Sequence, residues 1–187
     1  LMTEDSPEDV AHESLCSLYY DKDTLAKPIL GTQKSVRAFS RETLTSYLSR
    51  HYGSNNIVIS CAGNFRDNSA LIDTLNQYFS SMPIGEASPT IKNKPASARS
   101  FKSIKKDIEQ VHICMGLPGY SLDEQNQYPL LVLSTALGGS MSSRLFQKIR
   151  EERGLAYSTY CYPTSYKNTG YFALYAGTGE KQAQTVA

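Results

Sequence analysis

Surplus charge, paired cysteines and long apolar runs are all missing from this chain, and each absence removes a class of function. Nineteen Lys and Arg stand against eighteen Asp and Glu, a net charge of +1 with no basic stripe. Nucleic-acid affinity comes chiefly from cations in surplus, so nucleic acid is not an expected partner. The apolar runs, that around residues 129–132 among them, fall far short of the roughly 20 residues of a helical membrane span, so no membrane segment is expected. Cys16, Cys61, Cys114 and Cys161 stand alone and far apart, without the CxxC pair that would read as zinc or redox chemistry. Each reads as a buried free thiol, which favours a reducing, cytoplasmic compartment and leaves long-range disulfides open. The local signatures of catalysis are missing too: there is no HExxH or HxxEH pair, no GxSxG elbow, no GxGxxG after a strand and no P-loop. His12, His51 and His112 are isolated, and His12-Glu13 lacks a second histidine at helical spacing, so the three read as surface or hydrogen-bonded side chains rather than ligands.

What is present is a globular composition, 40% hydrophobic and 20% charged over 187 residues, enough for one large domain or two small ones with a buried core. Ser6-Pro7-Glu8-Asp9 is a helix start: a capping side chain, proline at the first helical position, and acids at the positive end of the dipole. Val10, Ser14, Leu15, Leu18 and Tyr19 follow at helical spacing. After the loop 27–31, Ser40 and Arg41 open a helix with Leu44, Tyr47 and Leu48 on one face, stopping near Tyr52-Gly53. The β-branched run NIVISCA (56–62) reads as a buried strand, and 67–79 as a helix carrying Leu71, Leu75, Tyr78 and Phe79. Pro83, Pro89 and Pro95 mark 83–101 as a linker. Beyond it the pattern predicts a strand over 104–116, a buried helix over 123–137 stopped by Gly138-Gly139, and an amphipathic helix over 142–152. Two alternating strands, 156–162 and 170–176, close the pattern around the polar turn 166–169.

This order of elements is α+β. It divides into the C-terminal part of a first unit (1–82), the linker (83–101) and the first part of a second unit (102–187), which can be halves of a duplicated protein. The chain finishes in the opening turns of a helix from Lys181, too short to be stable unpacked. It is therefore expected to be a piece of a longer protein.

The most specific stretch is GGSMSSRLFQKIREERGLAYS (138–158). It closely resembles the GG-x-SSRLFQ-x-(I/L)RE-x-RGLAYS signature in the C-terminal region of the M16 zinc metallopeptidases, the family of pitrilysin, insulysin and the mitochondrial processing peptidase. Ile29-Leu30-Gly31-Thr32 is similar to the family's "LG" loop, followed by a helix ending in His51-Tyr52 and a strand ending in Gly63-Asn64, and Leu117-Pro118-Gly119-Tyr120 is similar to its "GLPG" segment. The resemblance thus covers most of the chain, in order and spacing.

The resemblance implies LuxS/MPP-like metallohydrolase units, each a mixed or antiparallel sheet with helices packed on one face, paired across a substrate chamber. It implies a parent that is a zinc endopeptidase whose ligands are two histidines of an inverted HxxEH motif and a downstream glutamate. Residues 2–13, MTEDSPEDVAHE, align with the second half of the segment that holds that glutamate, so the ligand falls just upstream of Leu1 and Glu4 is not it. No metal site and no activity are expected in the chain alone, and zinc is expected in the parent. The resemblance also places Arg150 and Tyr157 where family members contact substrate. A planar five-donor guanidinium and a phenolic hydroxyl suit peptide carbonyls or carboxylates. The plainer alternatives are an Arg150 paired with Glu151 or Glu152 and a Tyr157 packed in the core. Ser142, Ser143 and Arg144 read as structural, with Ser142 a helix cap, and the tyrosines from 157 to 175 as packing more than as a peptide-binding wall. The partners implied are a peptide substrate and the rest of the parent chain or a homologous M16 subunit; the other function class is a non-catalytic subunit serving binding or assembly.

Overall fold

The computed structural model describes residues 5–87, 91–96 and 99–187. In chain order its elements are helix α1 (Pro7–Tyr20), a 3₁₀ turn (Thr24–Ala26) and helices α2 (Gln33–Arg37), α3 (Arg41–His51) and α4 (Asn68–Phe79). Strand β1 (Val111–Pro118), helix α5 (Gln127–Gly138) and a π-helix (Phe146–Glu151) follow, then strands β2 (Ser158–Ser165) and β3 (Gly170–Thr178), a 3₁₀ turn (Glu180–Gln182) and helix α6 (Ala183–Val186). They form two compact units, Leu1–Leu30 with Lys92–Ala187, and Gly31–Ile91.

The first unit is built on an antiparallel sheet of order β1-β3-β2. β2 and β3 are a hairpin whose loop closes through the Tyr166 N–H donating to the Thr169 carbonyl at 2.8 Å. Strand alternation sorts the side chains into two faces. His112, Cys114 and Gly116 of β1 share one face with Tyr160 and Tyr162 of β2 and Tyr171, Ala173 and Tyr175 of β3; Ile113, Met115, Thr159, Cys161, Leu174 and Ala176 share the other. α5 and the π-helix lie together on that second face, where Ser134 of α5 donates to the Cys161 carbonyl at 3.1 Å and Leu145 and Ile149 line a small apolar cavity with Met115 and Leu174.

α1 covers the opposite face. Ser6 caps it by accepting from the Asp9 N–H, and Pro7 opens it. The core here joins Leu15 and Tyr20 of α1 to Tyr171 and Ala173 of β3. Gly116 makes the approach possible, because a Cβ there would meet the Leu15 side chain at 2.8 Å.

The compact units divide the chain at other places than 83–101, because α1 packs on a sheet whose first strand begins 91 residues after it ends at Tyr20; Pro89 of that linker lies outside the described residues. Two expectations are corrected by this architecture. The run 56–62 is not a strand: none of the three strands pairs with it, and Val58 is 94% exposed. A strand exists only with a ladder partner for its backbone groups. α5 begins four residues later than predicted because 121–126 form turns in which Glu124 accepts from the Ser121 N–H (2.8 Å) and hydroxyl (3.0 Å).

The second unit is helical. Thr32 and Ser35 form a reciprocal capping box on α2, Ser40 caps α3, and Asp67 caps α4 by accepting from Ser69 and Ala70. Asn55 and Asn56 bind the end of α3 to residues 83–86, with the Asn55 amide both donating to and accepting from the Gly85 backbone. No residue of its helices is buried.

Candidate functional site

The signature segment builds a helix, a tight turn and a strand entry. Its helix winds as a π-helix, with the Glu152 N–H reaching back five residues to the Gln147 carbonyl at 2.8 Å; such single-turn widenings are frequent at functional sites. Ser142 does not cap it: its hydroxyl pairs with Ser140 at 3.0 Å, and the helix has no side-chain cap bond. Gly154 then takes φ +59, a left-handed conformation that suits glycine. The Gly154 and Leu155 N–H groups donate to the Arg150 and Ile149 carbonyls, both at 2.9 Å, and the Tyr157 N–H donates to Gly177 of β3 at 2.8 Å. Arg150 and Tyr157 are thus the two ends of one rigidly bonded connection.

Both side chains are open to solvent. Tyr157 is 64% exposed, so it is not a core aromatic, unlike Tyr171 and Tyr175. Arg150 stacks its guanidinium over the Phe146 ring at 4.7 Å. Its Nε is 3.9 Å from Glu151, an exposed and loose contact of small energetic weight, while Glu152 is taken by Lys148 at 2.7 Å. The guanidinium fork is therefore held from one side and keeps donors for a ligand.

A second constellation, not anticipated from the sequence, lies under α1. His12 Nε2 is 2.7 Å from the Tyr160 hydroxyl, and Nδ1 is 2.7 Å from the Tyr162 hydroxyl and 3.6 Å from Cys114 Sγ. Tyr160 donates to Glu8 at 2.5 Å. Its oxygen therefore accepts from Nε2–H, and in the neutral imidazole Nδ1 accepts from Tyr162. Burial holds the His12 pKa below its ordinary value, against the opposing pull of Glu8 and Asp9, and pushes the Cys114 thiol up to about 12. The only advance signals were a helical histidine and two tyrosines alternating in a strand.

Zinc would need converging ligands, and among the described residues no group of three His, Cys, Asp or Glu side chains could hold a metal ion. The described residues do not fit the metal, and Glu4 lies outside them. All four cysteines are free thiols, and no helix among the described residues is long and apolar enough to cross a membrane.

The model of the Peptidase M16 inactive domain matches residues 38–187. The chain belongs to the M16 peptidase family. Over its whole length it is 39% identical to 45% of the zinc protease YmxG of Bacillus subtilis, and over 97% of its length 36% identical to 44% of a Rickettsia felis zinc protease. This M16 chain therefore spans under half the length of those curated relatives. Its fold is similar to the crystal structure of the peptidase M16 inactive domain from Pseudomonas fluorescens, with a TM-score of 0.83 at 23% identity, covering 99% of this chain and 46% of that one.

Proposed function

We propose that this M16 segment forms part of the wall of a peptide chamber in a zinc endopeptidase, with Arg150 and Tyr157 gripping the substrate and the zinc bound by residues outside Leu1–Ala187. The observation that carries this reading is the connection from the π-helix through Gly154 to β2, which leaves an arginine fork and a phenol exposed at its two ends. The metal supplies an activated water when bound; this segment supplies hydrogen bonds to the peptide. In chain order, residues 1–82 are taken as the end of one α+β unit and 102–187 as the start of its repeat, with the rest of the parent or a homologous subunit as partner. The second reading is a non-catalytic M16 subunit that binds peptide or partner and serves assembly; it draws on the match to the inactive domain.

The zinc content of the full-length parent, purified without added metal, separates the two. About one zinc per chain supports the peptidase; none, even after reconstitution, supports the silent subunit. In an active parent, Arg150→Ala is expected to lower kcat/KM about 10- to 100-fold, the worth of a charged hydrogen bond at ~1.5–3 kcal/mol. Tyr157→Phe is expected to lower it by about 2- to 10-fold. Peptide turnover unchanged in both variants would remove the substrate-grip assignment.

A further inference from the structure

We propose that Glu8, Tyr160, His12 and Tyr162 form a pH-sensitive latch that holds α1 on the β1-β3-β2 sheet near neutral pH and releases it in mild acid. The geometry is a continuous chain: Tyr160 donates to Glu8, His12 Nε2–H donates to Tyr160, and Tyr162 donates to His12 Nδ1. Two of its members lie on α1 and two on β2, about 150 residues apart, so every link crosses the helix–sheet junction or orients one that does. With the imidazole neutral, Nδ1 accepts from Tyr162. A proton there turns the Tyr162 hydroxyl from donor to acceptor, sets an N–H against the Cys114 S–H 3.6 Å away, and leaves a charge in a site that burial has stripped of water.

The groups that face His12 act in both directions. Glu8 and Asp9 on its own helix favour the imidazolium, whereas burial and His112 of β1 oppose it. The rings of Tyr160, Tyr162 and Tyr175, with centroids 5.1–5.9 Å from the imidazole, exclude water and also attract a cation weakly. Glu8 reaches the imidazole through the Tyr160 hydroxyl rather than directly, so desolvation outweighs its pull. His112 is held on the same face of the sheet, its Nδ1 2.8 Å from the Tyr175 hydroxyl. A histidine whose folded-state pKa lies below its unfolded value of about 6.5 gives stability that is complete above 6.5 and lost as the pH falls through the folded-state pKa.

The test is hydrogen exchange of the full-length parent at pH 7.5 and 5.5, corrected for the intrinsic pH dependence of exchange. Protection of residues 7–20 is expected to fall severalfold at pH 5.5, up to the roughly tenfold limit that one histidine with an unfolded pKa of about 6.5 can supply between these two pH values, while residues 170–178 stay protected. His12→Phe keeps a ring in place and should make α1 protection independent of pH; a fall that persists in this variant, or no fall in the natural protein, overturns the latch. Two further variants keep the idea testable if His12→Phe does not fold. Tyr162→Phe removes the bond that favours neutral His12 and should move the release midpoint up in pH; Glu8→Gln removes a charge that favours the imidazolium and should move it down. Shifts in the same direction, or none, would also overturn it.

Discussion

The unit containing the sheet and the unit of residues 31–91 are written in similar amphipathic sequence, yet only the first buries its apolar side chains. Leu15, Tyr171, Phe172, Ala173 and Tyr175 are all under 9% exposed, whereas Leu44, Tyr47 and Leu48, the predicted inner face of α3, are 46–54% exposed. The contrast teaches that helical periodicity specifies a face, not its burial. α1 has a sheet to lie on, with a glycine at the point of contact; α3 and α4 are held in place by caps and by the Asn55 and Asn56 amides. A segment of about 60 residues with no sheet of its own is near the lower limit at which a chain buries enough surface to be stable.

Leu15→Ala should show the largest effect. Its side chain is 8% exposed, inside the cluster with Tyr20 and Ala173, and truncating such a leucine costs roughly 2–5 kcal/mol. Urea unfolding followed by the sheet's circular dichroism reads this directly. A cost under about 1 kcal/mol would mean that α1 does not pack on the sheet in solution, which would dissolve the comparison and the latch together.

The parts of this structure that were legible in the sequence are those fixed by local chemistry. Ser6 and Ser40 each cap the helix that follows, because a cap needs only a side-chain oxygen and the N–H groups two or three residues on; Asp67, read as the first residue of its helix, is the cap of α4. The 166–169 turn was legible for the same reason. The signature segment was legible as a family mark and as the place to look for Arg150 and Tyr157, but its π-helix was not, since a bond over five residues leaves no trace in apolar spacing. Long-range placement stayed hidden. Nothing in 7–20 says which sheet the helix will meet, so the boundary at 83–101 took no account of α1. His12 looked isolated because its partners lie 148 and 150 residues away. NIVISCA looked like a strand because its residues suit a sheet, a pattern silent on whether a neighbouring strand is there to pair.

Caps provide a control for the comparison, because their effect should not depend on which unit they sit in. Ser6 accepts from Asp9 at 3.3 Å and Ser40 from Thr43 at 3.2 Å. Ser6→Ala and Ser40→Ala should each destabilise by about 1 kcal/mol, measured by thermal unfolding with helix-specific hydrogen exchange to assign the loss. A much larger cost at Ser6 alone would show that the cap is coupled to the docking of α1, sharpening the difference between the units from one of packing to one of cooperativity.

The smallest expected effect is the most telling. Leu48 is 46% exposed on α3, so Leu48→Ala in this chain should change stability by no more than about 0.5 kcal/mol, the usual range for surface substitutions. Leucine and alanine are both good helix formers, so propensity contributes little. The same substitution in the full-length parent reports whether that face is covered there. A cost of roughly 2 kcal/mol or more in the parent, with almost none in the 187-residue chain, would assign the exposed face of α3 to an interface with the rest of the protein. Equal and negligible costs in both would instead make Leu44, Tyr47 and Leu48 a surface of the whole molecule, since residues buried against another part of the parent would lose packing when truncated.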